Sequence, residues 1–353
     1  MKLPVRNKSI LLILAIFFIG TVEAQNCEEQ LVSAQRAYYN GNLEKVISSL
    51  SACVQESKMN HEDREDALEL LINAHLILKE DSVADFYMNK LLTISPLTET
   101  KASDLVEFRR LHASYDIKPK RNLGLTLGIS DPVFRTLQYR SLGSISTENN
   151  NYNTKPGIIL GFKLDQYLTK NVFVSSGIYF NRFTYDRQEL LLTYQQSFIA
   201  ERLDFINIPI ALGYQFQQGN YDYFISGGMA ANILLSSKGD LELFGIQSDN
   251  SITIIPGIPE KVQSIDLGHQ RDGIVFNYLI NLGIRRRIGL MGLEVCAQYD
   301  IGANNLVDES GRYSNEEVWG KYSYVPDDFK VDSFKIMFSV SRRFYQSEKS
   351  GIQ

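Results

Sequence analysis

The chain is poor in the residues that usually carry chemistry. It holds four histidines, three cysteines and one tryptophan in 353 residues. No GxSxG, HExxH, CxxC or phosphate-loop signature occurs. His61, His75 and His112 fall in a helical region on or near polar faces, and His269 falls in a long loop. No His/Asp/Ser set shares a strand edge, so the expectation is a non-enzymatic protein without metal or cofactor. A membrane-embedded hydrolase assembled across strands is the catalytic alternative. A net charge of −5 offers no basic excess for nucleic acid. Beyond the N-terminus, no apolar run reaches the ~20 residues of a helical membrane span.

What is present begins with a leader. Lys2, Arg6 and Lys8 precede the apolar run Ile10–Ile19, and Val22-Glu23-Ala24 ends in small residues at the −3 and −1 positions. Residues 1–24 therefore read as a secretory signal peptide cleaved before Gln25. The run is short for a membrane anchor, and Asn26 and Gln25 are not the small residues that precede a lipidated cysteine.

Residues 25–117 read as helical. Ala34, Tyr38, Gly41, Val46, Leu50 and Cys53 have the spacing of a tetratricopeptide hairpin, with Gly41 at the turn. A looser copy follows through Leu70, Ala74, Leu78, Ala84, Met88 and Leu91 and closes at Pro96. A short helix over 104–113 carries Leu105, Phe108 and Leu111, and Asp81 and Asp104 are candidate N-caps. Cys27 and Cys53 stand at the start of the first helix and near the end of the second. A hairpin brings those ends together, so an oxidising compartment lets them pair. Cys296 stays alone as a small filler.

The C-terminal part alternates. In Leu203–Phe216, Ile206, Ile208, Ile210, Leu212, Tyr214 and Phe216 share one face, and Phe205, Asn207, Pro209, Ala211, Gly213 and Gln215 share the other. Comparable stretches lie at about 121–130, 156–167, 172–183, 221–235, 273–288, 290–302 and 331–345. A soluble barrel would point the apolar parity inward, and a membrane barrel points it at lipid. The polar parity is rich in Gly, Ser, Asn and Ala, which fill a narrow lumen better than they cover a wet surface. The connections alternate short (168–170, 217–220, 289) and long (131–155, 184–201, 236–272, 303–330). That is the pattern of periplasmic turns and outer loops, and it leaves both barrel termini in the periplasm. Tyr167, Tyr214, Phe216, Tyr221, Tyr223, Phe344 and Tyr345 fall near the short turns. Phe183, Tyr185 and Tyr299 fall near the far rim, as interfacial rings would.

Lys163, Asp165, Arg285, Arg287, Glu294, Asp300, Lys335 and Arg343 fall on the inward parity. Glu294 can face Arg285 or Lys335 across neighbouring strands, and an eight-stranded barrel is just wide enough for such side chains to plug it. A gated polar path is the alternative. In the last long loop, Tyr313, Trp319, Tyr322 and Tyr324 either bind a partner or pack the loop's own cap.

The hairpin C27…A34…Y38…G41…L50…C53, the run Pro96…Asp104…Phe108…Leu111, and the strand phrases INIPIALGYQF and YDYFISGGMAANI together resemble a Bacteroidota family. Its members join a tetratricopeptide-like periplasmic segment to a PorT-like outer-membrane β-barrel. The fold class expected is α+β multidomain: helical hairpins, then an eight-stranded antiparallel transmembrane barrel. The expected division is a leader at 1–24, helices at 25–117, a linker at 118–120, the barrel at 121–346 and a tail at 347–353. The resemblance implies an anchor in outer-membrane lipid whose helices bind a protein partner in an envelope or secretion complex. A surface receptor or adhesin acting through the long loops is the second reading.

Overall fold

The computed structural model describes residues 21–55, 59–140, 151–191, 195–246, 252–253 and 261–350. Most of the expected leader and parts of three long loops lie outside the described residues. The chain divides into two compact units, one of residues 1–118 with 345–353, the other of residues 119–344.

The first unit contains helices α1 (Thr21–Tyr39), α2 (Leu43–Gln55), α3 (His61–Ile77), α4 (Asp81–Ile94) and α5 (Val106–Ala113). Gly41 turns α1 into α2 with φ +75, a backbone state that a side chain disfavours. Ala34, Val46, Leu50, Leu68, Leu71 and Leu91 are among the residues that form a continuous apolar core. Cys27 and Cys53 are joined in a disulfide across the α1–α2 hairpin, with Cα atoms 5.8 Å apart. Closing a loop of that length contributes about 2–4 kcal/mol. Two capping expectations fail. Asp81 is the first residue inside α4, and the cap position is Glu80. Asp104 accepts the Lys101 N–H at 2.6 Å, one residue before the α5 cap Leu105. Asn60, unforeseen, caps α3 by accepting the Asp63 N–H. His75 is buried rather than on a polar face, stacked on Tyr87 and 2.6 Å from Glu80. Asp85 accepts hydrogen bonds from Tyr115 and Lys349, each at 2.7 Å. Burial pushes its carboxyl up, but those two bonds outweigh it and hold the pKa below the ordinary carboxylate value. Among the described residues, no helix is long and apolar enough to cross a membrane, which leaves open what strands do.

The second unit is a closed ring. Its strands are β1 (Tyr115–Gln138), β2 (Asn151–Tyr167), β3 (Val172–Leu191), β4 (Gln195–Gln218), β5 (Tyr221–Ile246), β8 (Ile274–Ile288), β9 (Met291–Gly302) and β10 (Asp328–Lys349), in that order around the barrel, with the first residues of β1 and the last of β10 belonging to the first unit. Two short strands, β6 (Ile252–Thr253) and β7 (Lys261–Asp266), add to the end of β5. A ring has no edge, so its backbone groups pair within the protein, which hydrocarbon requires. Side chains alternate as the sequence implies: β9 is exposed and buried by turns along its whole length. Ile210, Leu212, Phe162, Leu160, Phe276 and Ile280 are exposed on the outside. On β3 the outward positions Val172 to Phe180 are followed by Arg182. At ~3.3 Å per residue and a 35–45° tilt, they cover about 19–22 Å of the ~25 Å of an apolar lipid belt.

The strands outrun their expected limits. No irregular linker exists at 118–120: β1 starts at Tyr115 and runs through Pro119. The β1–β2 register starts only at Arg121, so the proline's missing N–H costs no bond in that ladder. The connection expected at 184–201 is mostly strand, because β3 and β4 stay paired from Leu191↔Gln195 downward. The loop at 303–330 contains a sixth helix, α6 (Glu316–Tyr322), capped by Asn315. The expected tail from residue 347 begins as strand, since β10 continues to Lys349.

Close approach fixes several glycines. Gly213 lies opposite Phe173 in the β3–β4 register. A Cβ there would fall 2.3 Å from the buried Phe173 ring. Gly213→Ala is expected to lower unfolding stability in urea by about 1–3 kcal/mol, with Phe173→Leu recovering part of the loss. An unchanged midpoint would mean that the ring moves aside freely.

Candidate functional site: a lumen filled by ion pairs

The inward parity converges on Arg285, which β8 carries into the lumen with about 1% of its surface exposed. Its guanidinium donates to Asp165 at 2.7 Å, to Glu294 at 2.6 and 2.9 Å, and to the Tyr167 hydroxyl at 2.8 Å. Lys163 reaches the other Glu294 oxygen at 2.5 Å and lies 3.6 Å from Asp165. Asn122 and Ser175 donate to Asp165, completing its shell. The Phe224 ring covers both cations, 4.9 Å from the Lys163 ammonium and 5.6 Å from the Arg285 guanidinium. Each buried charge thus has a partner and a hydrogen bond, the condition under which burial is tolerable.

Two further pairs extend the plug. Lys335 meets Asp300 at 2.5 Å. It does not meet Glu294, because the β9–β10 register sets Glu294 opposite Ser339. Arg343 meets Asp222 at 2.5 Å, and Arg287 approaches the same carboxylate at 3.4 Å nearer the rim. All eight charges expected in the lumen point inward. Asp222 was missed, although its signal was present: Asp222, Phe224 and Ser226 share the inward parity of β5. It takes the two cations that the sequence left without a partner. Between the layers lie two voids of about 20 Å³ each, one beside Lys335 and Asp300, the other beside Lys163 and Glu294. Each has room for about one water.

The long-loop end is closed by a second set. Arg271 is clamped by Glu201, which also accepts from Tyr185 and from Ser237, and Arg271 donates to the Tyr324 hydroxyl at 3.1 Å. Arg187 lies 2.9 Å from Glu189 and 3.2 Å from Asp327, which also accepts from the Tyr152 hydroxyl at 2.7 Å and from the Arg140 N–H at 2.5 Å. Arg312 pairs with Asp328. Phe134, Tyr152, Tyr185 and Phe329 pack beneath them with ring centroids 4.4–6.0 Å apart, Phe134 stacked on Tyr152 and the other pairs tilted or edge-on. The sequence places Arg187, Glu201 and Arg271 in the long connections at 184–201 and 236–272 and so gives them no lumenal role.

Several expectations are corrected here. Tyr167, Phe183 and Tyr185 are not interfacial rings. They are buried inside, where register and cross-strand partners put them. Tyr322 and Tyr324 are buried in the cap with Val318, so neither ring offers a binding surface. Trp319 is half-buried, and Tyr313 remains exposed at 54%.

Residues 116–308, more than half of the chain, match the family described as outer membrane protein beta-barrel domain. The chain belongs to that family. It is an outer-membrane β-barrel protein, and the family places it in the outer membrane. No curated protein matches the chain. Among solved structures, it is similar to the outer membrane protein OprG from Pseudomonas aeruginosa, at 10% identity and TM-score 0.36, covering 64% of this chain and 97% of that one. It is similar to the outer membrane protein AlkL in DMPC bilayers, at 9% identity and TM-score 0.35, covering 70% and 97%. It is also similar to Ail of Yersinia pestis, at 8% identity and TM-score 0.29, covering 64% and 99%. The family match carries the assignment; likenesses this distant carry no functional argument.

Arg285→Met leaves two buried carboxylates sharing Lys163 and is expected to cost about 3–5 kcal/mol in urea unfolding of the detergent-folded barrel. Adding Glu294→Leu should restore part of that loss. A single variant as stable as the parent would mean that water already hydrates the network.

Proposed function

We propose that this barrel is a closed, non-enzymatic anchor that holds a small helical domain at the periplasmic face of the outer membrane. The filled lumen carries the reading: the lumenal charges described above are paired, and the two voids between layers are each only large enough for about one water. A diffusion channel needs a continuous polar path, and the buried Arg285 and Arg271 clusters stand across it at two levels. Loop length supports the orientation. The 168–171, 219–220 and 289–290 turns lie at the end where β1 begins and β10 finishes, and the long connections lie at the other. Short turns face the periplasm in such barrels.

The helices supply the partner surface in this reading. They resemble tetratricopeptide hairpins in spacing, and they expose Tyr39 at 88%, together with Phe86 and Val106. Tyr39 stands at the end of α1, Phe86 within α4 and Val106 at the start of α5, and in this reading such exposed apolar side chains are the points of contact with an envelope protein. The leader over residues 1–24 and the cystine Cys27–Cys53 agree with export to an oxidising compartment. The PorT-like resemblance makes an envelope or secretion assembly the setting to search.

In planar bilayers, the purified full-length protein is expected to give no conductance steps in molar salt. Reproducible steps that persist across preparations would overturn the anchor reading in favour of a channel.

A further inference from the structure

Directly above the lipid belt, the outer faces of β2 to β5 carry a band of mixed charge, in which Lys155, Arg182, Arg202 and Lys238 alternate with Asp186, Asp204 and Asp240. On β4, the outward positions Ile210, Ile208 and Ile206 are followed by Asp204 and Arg202. On β5, the exposed Leu235 is followed, past a register shift at Asp204/Phe205, by Lys238. Arg202 and Lys238 are direct cross-strand partners. Both are exposed, while their neighbours Leu203 and Ser237 are buried inward. Like charges placed opposite each other on a sheet destabilise it; Arg202 interacts with the Asp204 carboxylate only at longer range, and neither cation has a carboxylate within 4 Å among the described residues. The carboxylates nearby are engaged. Asp204 is held by Arg182 at 2.6 Å and by Ser236 at 3.1 Å. Asp266, which faces Lys238 from β7, accepts the Gly268 N–H at 2.8 Å. On the other side of Arg202 the register partner is Thr184, which adds a hydroxyl, and beyond it stands Lys155, paired with Asp186 at 2.8 Å.

We propose that Arg202 and Lys238 form a binding site for the phosphate of an outer-leaflet glycolipid headgroup, with the Thr184 hydroxyl as a further donor. Height selects this ligand. The pair lies three to four residues beyond Leu235 and Ile206, a rise of roughly 10–13 Å along a strand, where headgroups begin. Chemistry selects it as well. A guanidinium and an ammonium side by side offer several donors to one anion, and a phosphate between them converts their repulsion into two charge-assisted contacts. The acyl chains of the same molecule would lie along Ile210 and Leu212. The inference rests on the proposed orientation, with the long loops outside.

The test uses the full-length protein folded in detergent and titrated with bisphosphorylated lipid A, with enzymatically dephosphorylated lipid A and with inorganic phosphate. Bound lipid is read by native mass spectrometry, and heat-dependent gel mobility checks folding. Parent protein is expected to bind the phosphorylated lipid at least tenfold more tightly than the dephosphorylated one. Arg202→Gln with Lys238→Gln should remove that preference while leaving mobility unchanged. Equal binding of both lipids, or an unaltered preference in the double variant, overturns the proposal. Inorganic phosphate competing at the concentration of the lipid would make it a free-anion site and overturn the commitment to lipid. Orientation is read separately by labelling Tyr313→Cys in intact cells with an impermeant maleimide. Labelling is expected. Absence of labelling in intact cells with labelling after lysis would place this rim in the periplasm and overturn the orientation and the glycolipid site together.

Discussion

Arg285 between Asp165 and Glu294 is the contact on which the rest of the barrel depends. A sheet that turns its apolar face to lipid has only polar and small residues left for its interior. Eight strands leave too little space for bulk water and too much for glycine and serine alone. The remaining volume is taken by long charged side chains. Taking such charges out of water costs several kcal/mol per ion unless each meets a counter-charge and fills its hydrogen-bond sites. Lys163, Asn122, Ser175 and Tyr167 complete those shells around the central triad. They come from β1, β2 and β3, so the network ties one wall of the barrel to the opposite wall formed by β8 and β9. Register, lumen filling and closure therefore depend on one another.

The same logic recurs at the long-loop end with different components. Glu201 and Arg271 replace Glu294 and Arg285, and Tyr185, Tyr324 and Ser237 replace the smaller donors. Aromatic rings from β1, β2, β3 and β10 pack beneath the clamp. The strands that make this cap extend well beyond the lipid belt; β5 alone has 26 residues. The extension gives the loops a rigid base and places charged outward residues, among them Arg182, Arg202 and Lys238, at one level around the rim.

Much of the barrel was legible because its period is two and its faces differ in chemistry. The parity of Leu203–Phe216 turns Ile206, Ile208 and Ile210 outward, and the same alternation on β2, β8, β9 and β10 puts all eight expected charges in the lumen. What failed was whatever needed partners from distant strands. Asp222 has the right parity but acquires meaning only from Arg343 and Arg287, over 60 residues away in sequence. Glu294 had two candidate partners, and only the β9–β10 register separates them. Arg187 lies in a stretch polar enough to read as loop, and pairing with β4 keeps it in a strand. Tyr322 and Tyr324 looked like a surface because composition cannot say which way a loop folds back. In the helical unit, the spacing around Gly41 fixed the first hairpin. The caps were misassigned because Asp81 and Asp104 each lie one residue from the capping position.

The most direct test is spin-label accessibility along β4, with one label at a time from residue 206 to 216 in protein reconstituted in bilayers. The account predicts a period of two. Labels at Ile206, Ile208, Ile210, Leu212 and Tyr214 should be relaxed by dissolved oxygen, as lipid-facing sites are. Labels at Asn207, Ala211, Gly213 and Gln215 should be shielded from oxygen and from a water-soluble nickel chelate alike. Ready access of the chelate to the second set would show an open aqueous lumen. Its access to the first set would show a barrel that faces water rather than lipid, and either result would contradict the account.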